Sequence, residues 1–286
     1  MSIIKAIILG IVQGITEFLP ISSSGHLSLF QHFMGVSGEG SLMFSVLLHV
    51  GTLIAVFIVF YKTIFELVVE FFSLLKDIFT GKFKFKELKG KKKMLVMFVF
   101  SCIPLLLLLI PVGNDMKLMD LLGGLSEDDS ILVEGVCFML TGILLLASTY
   151  VAKKRPLNRS VNTLDAFAIG VAQVFAAGFP GISRSGSTIS TGMICGVSKD
   201  YMVEYSFILG IPAIMVASVV ELKDAIEAGS PLELMPTIIG IVVAAVTGVA
   251  CIKLLQWILK KDMWKYFGFY CIIIGIFTIA CSSFGL

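Results

Sequence analysis

Charge is scarce in this sequence. Asp, Glu, Lys and Arg make up 15% of its 286 residues, against about 25% in an ordinary soluble domain. A water-soluble globular fold is therefore excluded as the simplest reading. Cysteine is sparse and scattered: Cys102, Cys137, Cys195, Cys251, Cys271 and Cys281 lie in or beside apolar runs, with no CxxC pair. They read as small core residues rather than metal ligands or bridges. The N-terminus has no Lys/Arg region leading to an A-x-A-like site, so no cleaved signal peptide is expected. The net charge of +2 says little as a total, and no nucleic-acid partner is expected.

What is abundant is apolar sequence, 57% of the chain, gathered in runs of about 18–23 residues that are each long enough to cross a bilayer. Spans are expected at about 43–62, 94–112, 131–152, 202–221, 236–257 and 266–285. Two further stretches, 3–34 and 165–196, are apolar but carry a polar break in the middle. A helix–loop–helix hairpin that enters and leaves on one side suits them better than a span. Thr63–Thr80 has apolar residues at helical spacing beside Glu66, Glu70, Lys76 and Asp77, as an interfacial helix would. The chain thus reads as one all-α polytopic membrane domain, 1–286, with six transmembrane helices and two re-entrant helical hairpins.

Charge marks the sides. Lysines 82, 84, 86, 89, 91, 92 and 93 form one basic loop; Lys153, Lys154, Arg155 and Arg159 a second; Lys260, Lys261 and Lys265 a third. With six spans and two hairpins all three fall on one side, which the positive-inside rule makes cytoplasmic. Acidic loops, one with Asp115, Asp120, Glu127, Asp128 and Asp129 and another with Glu221, Asp224, Glu227 and Glu233, then face outward with both termini. The first hairpin dips in from outside and the second from the cytoplasm.

The hairpins resemble each other. Gly10, Gln13 and Pro20 match Gly170, Gln173 and Pro180 at an offset of 160, and Ser22-Ser23-Ser24-Gly25 matches Ser183-Arg184-Ser185-Gly186 at 161. Three spans separate them, and an odd number flips the second unit. The pattern predicts an inverted-topology repeat, with repeat 1 at about 1–152 and repeat 2 at about 165–286, whose broken hairpins meet near the bilayer midplane.

Around that meeting point lie the residues that carry chemistry. Arg184 keeps its charge anywhere in a protein, and an intramembrane charge is a functional-site hypothesis by default. Its planar fork matches phosphate oxygens, and Gly25 and Gly186 let helix N-termini approach an anion. A carboxylate, a hydroxyl cluster, an imidazole and a guanidinium in one dry pocket suit phosphoryl transfer or hydrolysis. Ser23 can attack phosphorus with Glu17 or His26 as base, or His26 can itself be the nucleophile. Gln13 shares a helix face with Glu17, a pair that alone is a weak metal signature; Gln13 and Thr188 are candidates for a supporting role. The bland alternatives are an Arg184 that snorkels to water, a protonated Glu17 that pins its hairpin, a structural His26, and serines that satisfy freed backbone groups. Gly10 and Gly14 suit a helix-packing face, and His32 and His49 read as core or interface histidines.

The segments Gln13-Gly-Ile-Thr-Glu17-Phe-Leu-Pro20, Ser22-Ser23-Ser24-Gly25-His26 and Pro180-Gly181-Ile-Ser183-Arg184-Ser185-Gly186 resemble the two signature motifs of the undecaprenyl-diphosphate phosphatases. These are the bacitracin-resistance proteins of bacterial plasma membranes, and the resemblance covers essentially the whole chain. It implies hydrolysis of a C55 lipid diphosphate to the monophosphate and inorganic phosphate, which recycles the carrier for peptidoglycan synthesis, at an active site open to the outer face. It makes Glu17, Ser23, His26 and Arg184 catalytic candidates, and Ser22, Ser24, Gly25, Ser183, Ser185 and Gly186 phosphate contacts. It also implies a divalent cation, magnesium or calcium, for which Glu17 is a candidate ligand. Many members carry Glu where this chain has Gln13, so a site built on two carboxylates is in doubt here. The competing expectation is a polyprenyl-phosphate flippase or transporter, because inverted repeats with broken helices are also a transporter architecture.

Overall fold

A computed structural model describes residues 2–36, 39–113, 116–123, 131–154, 156–179, 181–227, 233–261 and 263–284. The described residues are helical with no strand, as the apolar periodicity requires. The first hairpin is α1 (Ile3–Thr16) and α2 (Ser23–Phe33). Helix α3 (Glu39–Val59) bends by 83° into α4 (Tyr61–Phe79). Helix α5 (Gly90–Cys102) tightens into a 3₁₀ segment, Ile103–Leu109, and the short α6 is Leu118–Gly123. Then follow α7 (Leu132–Ala152), the second hairpin α8 (Thr163–Gly178) and α9 (Arg184–Cys195), and the long helices α10 (Lys199–Glu227), α11 (Leu234–Lys260) and α12 (Trp264–Ser283).

Four helical stretches are long and apolar enough to cross a bilayer: Gly90–Leu109, Leu132–Ala152, Leu234–Lys260 and Trp264–Ser283; the bent α3–α4 pair makes a fifth. Helix α10, at 29 residues, covers the span expected at 202–221. The four hairpin arms hold 14, 11, 16 and 12 residues, all short of the roughly 20 that a crossing helix needs. Expectation and structure differ at element ends. The span expected to run straight to 62 breaks at Phe60, and α4 leaves at a steep angle with Phe65, Val68, Phe72 and Phe79 exposed. Pro104 lacks a backbone N–H, and the 94–112 span gives up α-helical geometry just before it. Glu221, Asp224 and Glu227 belong to the end of α10 rather than to a loop. Asp115, Glu127, Asp128, Asp129, Arg155 and Pro180 lie outside the described residues.

Small residues bring the helices together. A Cβ on Gly10 would lie 2.8 Å from the Gly240 carbonyl of α11, and one on Gly170 would lie 2.5 Å from the Ser101 carbonyl of α5. Each hairpin's first arm therefore packs backbone to backbone, in the close-approach mode of membrane helices. Helices α7 and α12 interlock in the same way through Gly135, Gly142, Gly268 and Gly275.

Residues of two basic loops are tied down by ion pairs. Lys91 bonds Glu204 at 2.9 Å and Lys92 bonds Asp77 at 2.8 Å, which fastens α5 to α10 and α4. Arg159 grips Asp165 with both arms of its fork and also donates to the Cys195 carbonyl. Asn162 and Asp165 form a reciprocal capping box, so the start of α8 and the end of α9 are held together. The six cysteines are free thiols, four of them buried, as expected of core residues.

Candidate active site

The two hairpin turns are built alike. In the first, Pro20 disfavours helix in the residue before it, and the chain turns between Thr16 and Ser23. Ser22 has φ 71°, the one positive φ outside glycine among the described residues, a conformation costing about 1–3 kcal/mol of the kind that clusters at functional sites. Its hydroxyl caps α2 by accepting from the Gly25 N–H at 3.3 Å. In the second, the Ser183 hydroxyl caps α9 by accepting from the Gly186 N–H at 3.0 Å. Serine oxygens thus satisfy the first-turn donors in both.

The turns touch. The Gly181 N–H donates to Ser24 Oγ at 3.1 Å, Ser185 Oγ donates to the Leu19 carbonyl at 3.5 Å, and a Cβ on Gly186 would lie 3.2 Å from the Pro20 carbonyl. Ser183 Oγ is 3.4 Å from Ser185 Oγ, and Ser22 Oγ is 3.4 Å from Ser24 Oγ. The candidate phosphate contacts Ser22, Ser24, Gly25, Ser183, Ser185 and Gly186 therefore form one polar seam, also anchored to α7 where the Ser183 N–H donates to Thr141 Oγ1 at 3.1 Å.

Glu17 is the centre of the site. Its side chain is 5% exposed, and Arg184 Nη2 donates to Oε1 at 2.6 Å across the seam. Ser23 Oγ donates to Oε2 at 2.6 Å and Gln13 Nε2 donates to the same oxygen at 3.1 Å. A buried carboxylate is tolerable only with such partners. Arg184 also donates to the Ser206 carbonyl at 3.4 Å, while Thr188 bonds the Arg184 carbonyl at 2.9 Å and Ser206 Oγ at 2.6 Å. The snorkelling alternative for Arg184 does not hold, because its guanidinium turns inward.

His26 stands apart from this line. Its Nδ1–H donates to the Ser22 carbonyl at 2.8 Å, which leaves Nε2 to accept from Tyr270 Oη at 2.7 Å, with the two rings stacked. Both ring nitrogens are thus engaged by neighbours.

Three residues at or beside the site escape the motif reading. His49 of α3, expected to be a core or interface residue, has Nε2 3.6 Å from Glu17 Oε2. Gly210 of α10 gives Arg184 its room, since a Cβ there would lie 2.1 Å from Nη1. Tyr270 of α12 holds His26. A signal for the first existed in the sequence: Ser45, His49 and Thr52 form a polar stripe at helical spacing on an apolar span. At the 161-residue offset, moreover, His49 corresponds to Gly210.

The residues present do not fit a divalent cation held by the protein alone. Glu17 is compensated by Arg184, and both its oxygens already accept donors. Gln13 Oε1 is buried without a partner, but it is one neutral oxygen, whereas such cations are held by several oxygens including carboxylates. Among the described residues no group of three His, Cys, Asp or Glu side chains could enclose a metal.

Comparison with known proteins bears on the same residues. The family model for bacitracin resistance protein BacA matches residues 6–277. The chain is 37% identical over 289 residues to an undecaprenyl-diphosphatase of Alkaliphilus metalliredigens, with 99% of each chain covered. It is 35% identical over 285 residues to proteins of that name from Parabacteroides distasonis and Methanosphaera stadtmanae, again with 99% of each covered.

Proposed function

The chain belongs to the bacitracin resistance protein BacA family, and on that premise we propose that it hydrolyses undecaprenyl diphosphate to undecaprenyl phosphate and inorganic phosphate. The observation that carries the chemistry is the unbroken hydrogen-bonded line Ser23–Glu17–Arg184, which joins the two hairpin turns. Ser23 Oγ attacks the terminal phosphorus while Glu17 Oε2 takes its proton. Arg184, drawn onto the phosphate oxygens, balances the charge that spreads over them. The serine seam and the starts of α2 and α9 supply further donors. Water then hydrolyses the phosphoserine. His26 and Tyr270 shape the wall beside Ser23, Gln13 aims Glu17, and Thr188 with Ser206 steadies Arg184. No step is routed through a metal. The relatives' names are those of hydrolases, and lipid translocation has no support among them.

The same reading takes the chain as a multi-pass protein of the bacterial plasma membrane, a single domain of two inverted units at about 1–152 and 165–286. Its site opens to the outer face and the lipid tail stays among the helices or in the bilayer. The paired serine caps, the paired glycine contacts of α1 with α11 and α8 with α5, and the four short arms support six spans with two re-entrant hairpins.

Phosphate release from a polyprenyl diphosphate by purified protein tests the reading. Glu17→Ala, Ser23→Ala and Arg184→Ala should each lower kcat about 10²–10³-fold, the scale of losing one transition-state donor or base. Unchanged turnover in the Glu17 and Arg184 variants would overturn it.

A further inference from the structure

We infer that His49 is the exit by which the proton released in each turnover leaves the buried site. The inference rests on the phosphatase reading and goes beyond it. When the Ser23 Oγ–phosphorus bond forms and the bridging bond breaks, the electron pair departs on the lipid phosphate and the hydroxyl proton passes to Glu17. When water attacks the phosphoserine, one of its protons returns to Ser23 Oγ and the other stays on inorganic phosphate. One proton therefore remains on Glu17 after every cycle and must go elsewhere before the next.

Glu17 has few places to send it. Its side chain is 5% exposed. Arg184 is already fully protonated, Gln13 presents an N–H, and Ser23 is needed with its own proton. His49 alone among the described neighbours of Glu17 is a base with a free valence. Its Nδ1–H donates to the Ser45 carbonyl at 2.9 Å, so in the neutral ring the lone pair sits on Nε2, which faces Glu17 Oε2 at 3.6 Å. The side chain is 28% exposed, against 5% for Glu17, so it reaches further out of the site than the sealed carboxylate does. An imidazole can take a proton on one ring nitrogen and give one up from the other, as a carrier must.

The charged groups around His49 are few. Glu17 faces it from the end of α1, with Arg184 of α9 behind, and among the described residues no ion pair joins it to α4, α10 or α11.

Two variants test this by phosphate release from a polyprenyl diphosphate in detergent. His49→Gln keeps an N–H near Glu17 but cannot carry a proton. Its kcat should drop about 10²-fold, at the low end of proton-transfer effects, with KM within twofold of the parent. His49→Ala should lose as much and recover with added imidazole, in proportion to the free base, while the parent ignores it. A His49→Gln variant that keeps the parent's kcat, or a His49→Ala variant that imidazole leaves unchanged, would refute the exit while phosphatase activity stood. A parent protein that releases no phosphate would instead refute the functional reading.

Discussion

Arg184 works through where its guanidinium is seated. One nitrogen holds Glu17, another lies against the Ser206 carbonyl, and the seat exists because residue 210 has no side chain. Gly210→Ala puts a methyl 2.1 Å from Nη1 and 2.7 Å from Cζ. The far end of a flexible side chain can swing away, so the fold should survive with its melting temperature within a few degrees. Catalysis should suffer nearly as much as from loss of the arginine, about 10²-fold in kcat on the scale of one transition-state contact. Parallel melting and turnover measurements check both halves. Glu17, Ser23 and Arg184 were legible in the sequence because polar groups in apolar surroundings announce themselves. Gly210 was not, since its contribution is an absence that matters only once α10 is laid against α9. His49 left a trace in the Ser45–His49–Thr52 stripe, but its part could be read only once the neighbour it faces, Glu17, was known.

At the scale of elements, the paired short arms, the long apolar helices and the separate helix at 61–79 followed from apolar run length and periodicity, because those are properties of single segments. The 83° bend at Phe60 and the 3₁₀ segment after Cys102 did not, although Pro104 marked the second. Helix pairing is the least readable feature, because small residues lie on many faces and only some are used. Gly14 is one that is used: a Cβ there would lie 2.6 Å from the Ala244 carbonyl and 1.9 Å from Thr247 Oγ1. Backbone cannot step aside as a side chain can, so Gly14→Ala should part α1 from α11 and destabilise by about 1–3 kcal/mol, the usual cost of overpacking. A detergent thermal melt reads this directly, and an undiminished melting temperature would show that the contact relaxes freely.

Across the whole molecule, the basic loops give a clear test of orientation. In a cysteine-free background, single cysteines at Lys86, Asn158 and Lys261 should react with a membrane-impermeant maleimide only after the cell is opened, and cysteines at Ser2 and Glu233 without opening it. Mixed labelling among the first three would break the assignment. The two partners of the central ion pair stand 167 residues apart in the chain, on different hairpins. A polypeptide emerging from the ribosome therefore holds Glu17 and Ser23 long before Arg184 is translated. On the phosphatase reading proposed above, a nascent chain that stops short of α9 should release no phosphate, because the guanidinium that would draw the substrate between hydroxyl and carboxylate is not yet made.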